Sequence, residues 1–263
     1  MIAVVLMAEL ASMGARAAIA SKPIVVAAAG SLRAPFTAIR ADFELERGRA
    51  VQLNFGASGL LLDLIEAGET VDVFASANME HPRALVQSGW STRARTFARN
   101  GMCLLARSGI EVVTDTALDV MLDPGVMLGT STPVADPSGD YAWDVFRRAE
   151  AIRPGALGEL SGKARQLTGG RLSPPPPANG NVYGRLVAEG MADVFLTYRT
   201  NARLAVADDP TLHLVNLPGN LAVAASYGVV VRSDATPAAS EFATYLASPA
   251  AQRVLAAFGF DGP

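Results

Sequence analysis

The chain has 263 residues, of which 50% are hydrophobic and 18% charged, so it is long enough for two lobes with packed cores. Its formal net charge of −3 and its lack of Lys/Arg clusters argue against nucleic acid and anionic membranes as partners. The single cysteine, Cys103, excludes an intramolecular disulfide, and the two distant histidines form no metal-ligand pattern, so we expect neither a protein-held metal nor a cofactor.

The first twenty residues have the pattern of an export signal. Residues 2–13 are largely apolar but too short to span a bilayer, and Ala18-Ile19-Ala20 has the small-x-small pattern that precedes signal cleavage. No basic segment precedes Ile2, and Glu9 interrupts the apolar run, which departs from the usual signal. We predict that residues 1–20 are a signal peptide and that the mature chain is periplasmic. If the segment is instead retained as a packed helix, a cytoplasmic sensor or storage protein is the alternative.

Strands and helices alternate over the first part of the mature chain. Residues 24–29 form a continuous apolar run that ends at Gly30, as expected for a buried parallel strand. Helical spacing of Phe36, Ile39 and Phe43 follows, and a glycine, Gly48, closes it. A second strand, a short helix and a third strand are then predicted over 51–55, 61–65 and 71–75. This β-α-β-α-β order predicts a parallel sheet with right-handed crossovers.

A second set of elements begins at Gly101. Strands are predicted over 102–106, 126–129 and 194–196, and helices over 140–149, 157–167 and 182–189. Residues 169–180 contain four consecutive prolines and are predicted to be a stiff, extended loop. A long apolar β-type stretch over 221–231 and two amphipathic helices, over 237–246 and 249–258, end the chain.

Two strand-to-helix junctions carry a serine in the same position. Ser31 follows the first predicted strand and Ser58 the second. Each serine alone is explained by helix capping, because its hydroxyl can accept from amides of the first turn. Parallel strands, however, bring both junctions to the carboxyl edge of one sheet, where helix N-termini with free amides form an anion site. A serine hydrolase is a further alternative, but Leu60 stands where the G-x-S-x-G nucleophile motif needs its second glycine.

Several segments, taken in order, resemble the periplasmic molybdate-binding proteins of ABC importers. They are AAAGSL at 27–32, FGASG at 55–59, VDVFASA at 71–77, ADVFLTY at 192–198, and the ending from Ser248-Pro249 to Phe258-Gly259-Phe260. The likeness covers nearly the whole mature chain. It implies an α/β, two-lobed periplasmic-binding-protein fold (class II, Venus flytrap) with mostly parallel sheets, lobe I comprising 21–99 and 219–263 and lobe II comprising 100–218.

The resemblance also implies the ligand groups. Two first-lobe serines carry over to Ser31 and Ser58, and a second-lobe tyrosine hydroxyl carries over to Tyr198. One second-lobe amide falls at Val182 and the other within 136–139, at Ser138, where the loop length departs from the commoner family pattern. Molybdenum would be held only as the oxyanion, through these five residues, and no catalytic residue is expected.

The function implied is capture of molybdate, and of tungstate with it, for delivery by a monomer to an ABC permease and its ATPase. All the proposed groups are neutral donors, which suit a fully deprotonated oxyanion held by charge-assisted hydrogen bonds and helix dipoles. The four-proline loop and the Ser138 loop keep a second hypothesis open, in which the same fold carries sulfate, a phosphate-like anion or a small organic acid. Asp72 and Asp193 are interpreted as solvated or capping carboxylates, not as a catalytic dyad.

Overall fold

The computed structural model describes residues 22–175 and 180–263, and the predicted signal peptide lies outside these residues. Nine strands are found within them: Ile24–Ala29 (β1), Val51–Gly56 (β2), Val73–Ser76 (β3), Arg95–Ala106 (β4), Leu128–Ser131 (β5), Arg165–Thr168 (β6), Val194–Tyr198 (β7), His213–Asn216 (β8) and Ala224–Val231 (β9). The same residues contain ten α-helices: Arg33–Arg47 (α1), Ser58–Glu66 (α2), Glu80–Gln87 (α3), Ala117–Leu122 (α4), Pro137–Ile152 (α5), Ala156–Lys163 (α6), Val182–Ala188 (α7), Arg199–Asp208 (α8), Pro237–Tyr245 (α9) and Pro249–Ala257 (α10).

The strands form a curled sheet in the order β2-β1-β3-β9-β4-β7-β5-β6, with β8 paired to β4 beside this path. Strand β1 pairs parallel with β2 and β3, which confirms the predicted β-α-β-α-β unit. Strand β5 likewise pairs parallel with β6 and β7. The pairs that β9 makes with β3 and β4, and β4 with β7 and β8, are antiparallel, so the sheet as a whole is mixed.

Strand β4 is shared by the two parts of the sheet. Its residues up to Gly101 pair with β9, and its residues from Met102 onward pair with β7 and β8. We call the part containing β1, β2, β3 and β9 the first lobe, and the part containing β5, β6, β7 and β8 the second lobe. The chain leaves the first lobe along β4 and returns to it between β8 and β9.

The first-lobe core contains the helical stripe that the sequence predicts. Phe36, Ile39 and Phe43 of α1 are fully buried. Phe43 meets the ring of Phe242 from α9 edge-on, at 5.2 Å between ring centroids. Helix α1 ends at Gly48, whose backbone adopts a left-handed conformation with φ of 61°. This packing fixes α1, and therefore the turn that precedes it, on one face of the sheet.

Some predicted elements differ in extent. The helix predicted over 157–167 is wrong beyond Lys163, because Arg165–Thr168 form strand β6 beside β5. The strand predicted over 126–129 is displaced to Leu128–Ser131, and helices α3, α4 and α8 and strand β8 were not predicted. Among the described residues, none of the helices has both the length and the apolar character needed to cross a membrane.

Candidate ligand-binding site

The two predicted serines lie at neighbouring junctions of the first lobe. Ser31 lies in a short 3-10 turn between β1 and α1, and Ser58 is the first residue of α2, directly after β2 and Ala57. Because β1 and β2 are parallel and Ala29 pairs with Gly56, both junctions lie side by side at one edge of the sheet. This is the edge at which open α/β sheets bind ligands.

Ser58 and Tyr198 meet at a single residue, Ala77. Ser58 is 1% exposed, and its Oγ accepts a hydrogen bond from the Ala77 N–H at 3.1 Å. The buried hydroxyl of Tyr198, at the end of β7 in the second lobe, donates to the Ala77 carbonyl at 3.5 Å. Burial raises the pKa of Tyr198 well above its ordinary value, so this hydroxyl keeps its proton and remains a donor.

Ser31 is joined to the same region through Tyr227, a residue that sequence reasoning missed. The Ser31 Oγ and the Tyr227 hydroxyl are 2.8 Å apart, and the Tyr227 ring lies 5.7 Å from the Tyr198 ring. Tyr227 is fully buried in β9. Ser31, Ser58 and Tyr198 are therefore brought together, and Tyr227 lies between them as an additional hydroxyl.

Ser138 offers a different group from the one predicted. It is fully buried near the start of α5, and its N–H donates to Asp136 Oδ1 at 3.0 Å. The amide is therefore engaged, whereas the Ser138 hydroxyl has no hydrogen-bond partner within 22–175 and 180–263. The hydroxyls of Thr130 and Ser131, at the end of β5, are also buried and unpartnered among these residues. A buried hydroxyl without a partner is unfavourable by itself and favours an external acceptor.

Val182 is the first residue of α7, and Asn181 caps this helix. The Asn181 side chain accepts from the Tyr183 and Gly184 amides at 3.0 and 3.1 Å, and donates to the Asn201 carbonyl at 3.1 Å. The hydrogen bond from Asn181 to Asn201 joins the start of α7 to the first turn of α8, and Asn201 lies three residues after Tyr198 in the sequence. In the described part of the chain, no hydrogen bond joins Val182 to any of the other four predicted ligands.

The two lobes touch at the start of α2. The Gly59 N–H donates to the Ala135 carbonyl of the second lobe at 2.9 Å. A Cβ at Gly59 would lie only 2.3 Å from the carbonyl oxygen of Val134. Close by, Arg171 pairs with Asp63 of α2 across the same boundary. The structure therefore shows the lobes closed, with Ser58 and Ser138 on the two sides of this contact.

Asp136 is the ionisable group next to the second-lobe hydroxyls. The residue is partly accessible to solvent, but its carboxyl group is surrounded by protein. Burial raises the pKa of its carboxyl to about 6, although the hydrogen bond from the Ser138 N–H acts in the opposite direction. Asp136 is packed against Gly169, where a Cβ would lie 2.6 Å from Oδ2 of the carboxylate. Near neutral pH this group can be a neutral donor or a charged acceptor.

The remaining chemical candidates have structural roles. Asp72 accepts from the Val25 N–H at 2.9 Å and pairs with Arg232, while Asp193 accepts from Met127 N–H and pairs with Arg107. Neither Ser31 nor Ser58 hydrogen-bonds to a histidine within the described ranges, so the arrangement of a serine hydrolase is not found there. No group of three or more His, Cys, Asp or Glu residues suited to a metal ion occurs in that part of the chain.

A family model described as bacterial extracellular solute-binding protein matches residues 24–261. The chain belongs to this family. An uncharacterized protein of Pasteurella multocida is 34% identical over 203 residues, covering 77% of this chain and 84% of that protein. The molybdate-binding protein ModA of Mycobacterium tuberculosis is 27% identical over 249 residues, covering 92% of this chain and 86% of that protein.

Solved structures of periplasmic binding proteins share the fold of this solute-binding protein. The periplasmic molybdate-binding protein of Azotobacter vinelandii aligns with a TM-score of 0.72 and 19% identity over 91% of this chain and 99% of that one. The sulfate-binding protein SubI of Mycobacterium tuberculosis aligns with a TM-score of 0.74 and 19% identity, over 92% of this chain and 87% of that one. AfuA of Actinobacillus pleuropneumoniae, with fructose-6-phosphate bound, aligns with a TM-score of 0.71 and 14% identity, over 90% of this chain and 82% of that one. The predicted two-lobed α/β fold is confirmed.

Proposed function

We propose that this solute-binding protein captures a fully deprotonated tetrahedral oxyanion, molybdate or tungstate, outside the cytoplasm and delivers it to an ABC importer. The observation that carries the proposal is the convergence of neutral hydroxyl groups from both lobes. Ser31 and Ser58 come from the first lobe, and Ser138 and Tyr198 come from the second. Ser58 and Ser138 lie on the two sides of the lobe contact, and Tyr198 bonds to Ala77 as Ser58 does, so a ligand held there would join the two lobes.

The chemistry of these groups favours a dianion that carries no proton. Hydroxyls and helix-start amides donate to anionic oxygens without a formal counter-charge. A protonated anion would present a donor to donors and leave one of them unpaired, at about 1–3 kcal/mol. Sulfate is also fully ionised but smaller, so the size of the closed site must separate it from molybdate. Tungstate has the same charge and shape as molybdate and is expected to bind alike.

The comparisons support this ligand at the level of the family. A relative aligned over most of the chain is named as molybdate-binding, and so is a structural neighbour. Solute-binding proteins of this type deliver small anions to ABC importers, which supports a permease and its ATPase as partners. We also propose which residues bind the anion, namely Ser31, Ser58, Ser138, Val182 and Tyr198.

Asp136 favours a second candidate, an anion that carries a hydrogen-bond donor. An ionised carboxylate next to the Ser138 hydroxyl would accept a proton from a phosphate-like anion, which the neutral donors alone cannot do. AfuA, the structural neighbour with fructose-6-phosphate bound, supports a phosphate ester as a ligand that this fold can hold. A preference for phosphate or a phosphate ester over molybdate would therefore identify Asp136 as the selective group.

Thermal unfolding with molybdate, tungstate, sulfate and phosphate at equal concentration tests the proposal. An anion at about a hundred times its dissociation constant stabilises the native state by about 2.7 kcal/mol, which is a clear rise in Tm. We expect this rise with molybdate and tungstate and a small one with sulfate. A rise with phosphate alone would favour the second candidate, and no rise with any of the four would contradict an oxyanion ligand.

Removing either first-lobe serine hydroxyl should weaken molybdate binding. We expect Ser31→Ala and Ser58→Ala each to lower the affinity by about tenfold, because each removes one charge-assisted hydrogen bond. Isothermal titration calorimetry measures the change. Ser161→Ala is the matched control, since the Ser161 hydroxyl bonds to its own helix at the Leu157 carbonyl, away from the lobe contact. Equal affinities in all four proteins would remove the serines from the site.

A further inference from the structure

A chain of four polar side chains connects the second lobe to Ser31. Asn100 Nδ2 lies 2.8 Å from Thr200 Oγ1 and 3.3 Å from the Tyr227 hydroxyl, which lies 2.8 Å from Ser31 Oγ. Asn100 is fully buried in β4, next to Gly101, where the strand passes from one lobe to the other. Thr200, also buried, belongs to α8 of the second lobe.

The Asn100 amide sets the direction of this chain. Its Nδ2 group has two protons and no acceptor capacity, so it donates one proton to Thr200 and the other to Tyr227. In this orientation the buried Oδ1 atom of Asn100 has no partner among the described residues. If the amide were reversed, its two N–H groups would take the position of Oδ1, and both would lack an acceptor. Two unpaired donors are less favourable than one unpaired acceptor, so the observed orientation is preferred.

The direction continues to Ser31. Among the described residues, the Tyr227 hydroxyl has two partners, Asn100 Nδ2 and Ser31 Oγ, and only Ser31 Oγ can accept its proton. Ser31 then accepts from Tyr227, and its single proton is left to point elsewhere. Ser58 is set in the same way by a backbone donor, the Ala77 N–H, which cannot be reversed.

We infer that Asn100 and Tyr227 are positioning residues that fix Ser31 as a donor toward the ligand. The inference rests on the proposed function, because it concerns the same oxyanion site. It adds a cause for selectivity: a serine free to rotate can accept from a protonated anion, whereas a serine whose oxygen already accepts from Tyr227 presents its proton. Hydrogen bonds aligned in one direction also strengthen one another, so Ser31 becomes a better donor.

A double-mutant cycle on molybdate affinity tests the inference, with calorimetry on the full mature chain. Tyr227→Phe removes the proton donated to Ser31 and should lower the affinity by about fivefold. In a Ser31→Ala background the same change should alter the affinity by less than about twofold, because Tyr227 acts through Ser31. A merely structural role would lower the affinity equally in both backgrounds and would overturn the inference.

Two further variants complete the test. Asn100→Leu leaves Tyr227 without its fixed donor, so we expect a smaller loss than with Tyr227→Phe that again disappears with Ser31→Ala. Tyr245→Phe is the matched control, because its hydroxyl bonds to Glu46 on the far side of the first lobe, and no change is expected. If the wild-type chain binds none of the four anions, the proposed function fails and the inference fails with it. Normal wild-type binding with equal losses in both backgrounds contradicts the inference alone.

Discussion

Gly59→Ala is expected to lower the affinity for molybdate by about 100-fold while leaving the fold intact. A Cβ at this position would lie 2.3 Å from the Val134 carbonyl oxygen and 2.7 Å from the Ala135 carbonyl oxygen of the opposite lobe. Both atoms are backbone, so relief requires the lobes to separate, at a cost of about 3 kcal/mol. Binding brings Ser58 and Ser138 to the same ligand, so the separation acts directly on affinity. Calorimetry with molybdate measures it.

Two glycine variants serve as controls for Gly59→Ala. A Cβ at Gly30, beside Ser31, would have its nearest neighbour 3.9 Å away, and a Cβ at Gly158 in α6 would meet nothing within 4 Å. Both are therefore expected to bind molybdate normally. Gly59→Ala without ligand should still unfold in a cooperative transition, since alanine suits the first turn of a helix. An unchanged affinity in Gly59→Ala would show that ligand binding does not require the Gly59–Ala135 contact.

The affinity for molybdate is expected to fall with rising pH, by up to about 100-fold between pH 6.5 and 8.5. Burial raises the pKa of the Asp136 carboxyl to about 6, so above this pH a dianion meets a neighbouring negative charge unless one proton is taken up. One proton per anion bound gives about tenfold per pH unit. Asp136→Asn should bind with nearly constant affinity over this range, since asparagine also caps the helix. Titrations with molybdate at five pH values measure how the affinity changes with pH.

The ionisable groups nearest to the lobe contact allow a control. Burial lowers the pKa of His81 below its ordinary value of 6.5, which favours the neutral ring in this range. Asp140 accepts from the Val134 N–H at 2.8 Å, and Asp140→Asn is expected to keep the wild-type slope. A slope that persists in Asp136→Asn would show that another group takes up the proton. Phosphate, the second candidate, would bind better as Asp136 ionises, so its affinity would not fall with rising pH in the way expected for molybdate.

The same carboxyl affects folding stability in a defined pH range. Its pKa in the folded protein, about 6, lies above the ordinary value of 3.8, so the fold favours the protonated form. The contribution of this carboxyl to the free energy of unfolding is therefore largest below pH 3.8, decreases between 3.8 and 6, and is absent above 6. Asp136→Asn should raise this free energy at pH 8 and leave it unchanged at pH 3, as measured by urea unfolding.

The sequence predicts the first lobe well because its signals are local. The apolar run of β1, the helical stripe of α1 and the glycine that ends it are all confirmed. The positions of Ser31 and Ser58 follow from two strand ends, and a parallel register brings them side by side. The Ser131 hydroxyl could also have been noted, because it follows the strand predicted over 126–129 by two residues.

The features that the sequence does not predict depend on contacts between residues that are distant in the chain. Strand β6 begins with Arg165 and Gln166, whose side chains are exposed, so no apolar pattern marks it. Tyr227 bonds to Ser31 across 196 positions of the chain, and nothing near either residue indicates the pair. Asp136 is visible as a helix cap, but its raised pKa comes from the depth at which the closed lobes place it. The ligand roles of Ser31, Ser58, Ser138, Val182 and Tyr198, and the identity of the anion, stay predictions.

The position of β9 has a consequence for the order in which the chain can fold. This strand lies between β3 and β4, yet it is the last of the nine described strands in the sequence. Until residues 224–231 have been synthesised, β3 and β4 each present an unpaired edge that can associate with other chains. Such non-local pairing slows folding. A truncated chain that ends before Ala224 should therefore aggregate, even though it contains a complete second-lobe sheet.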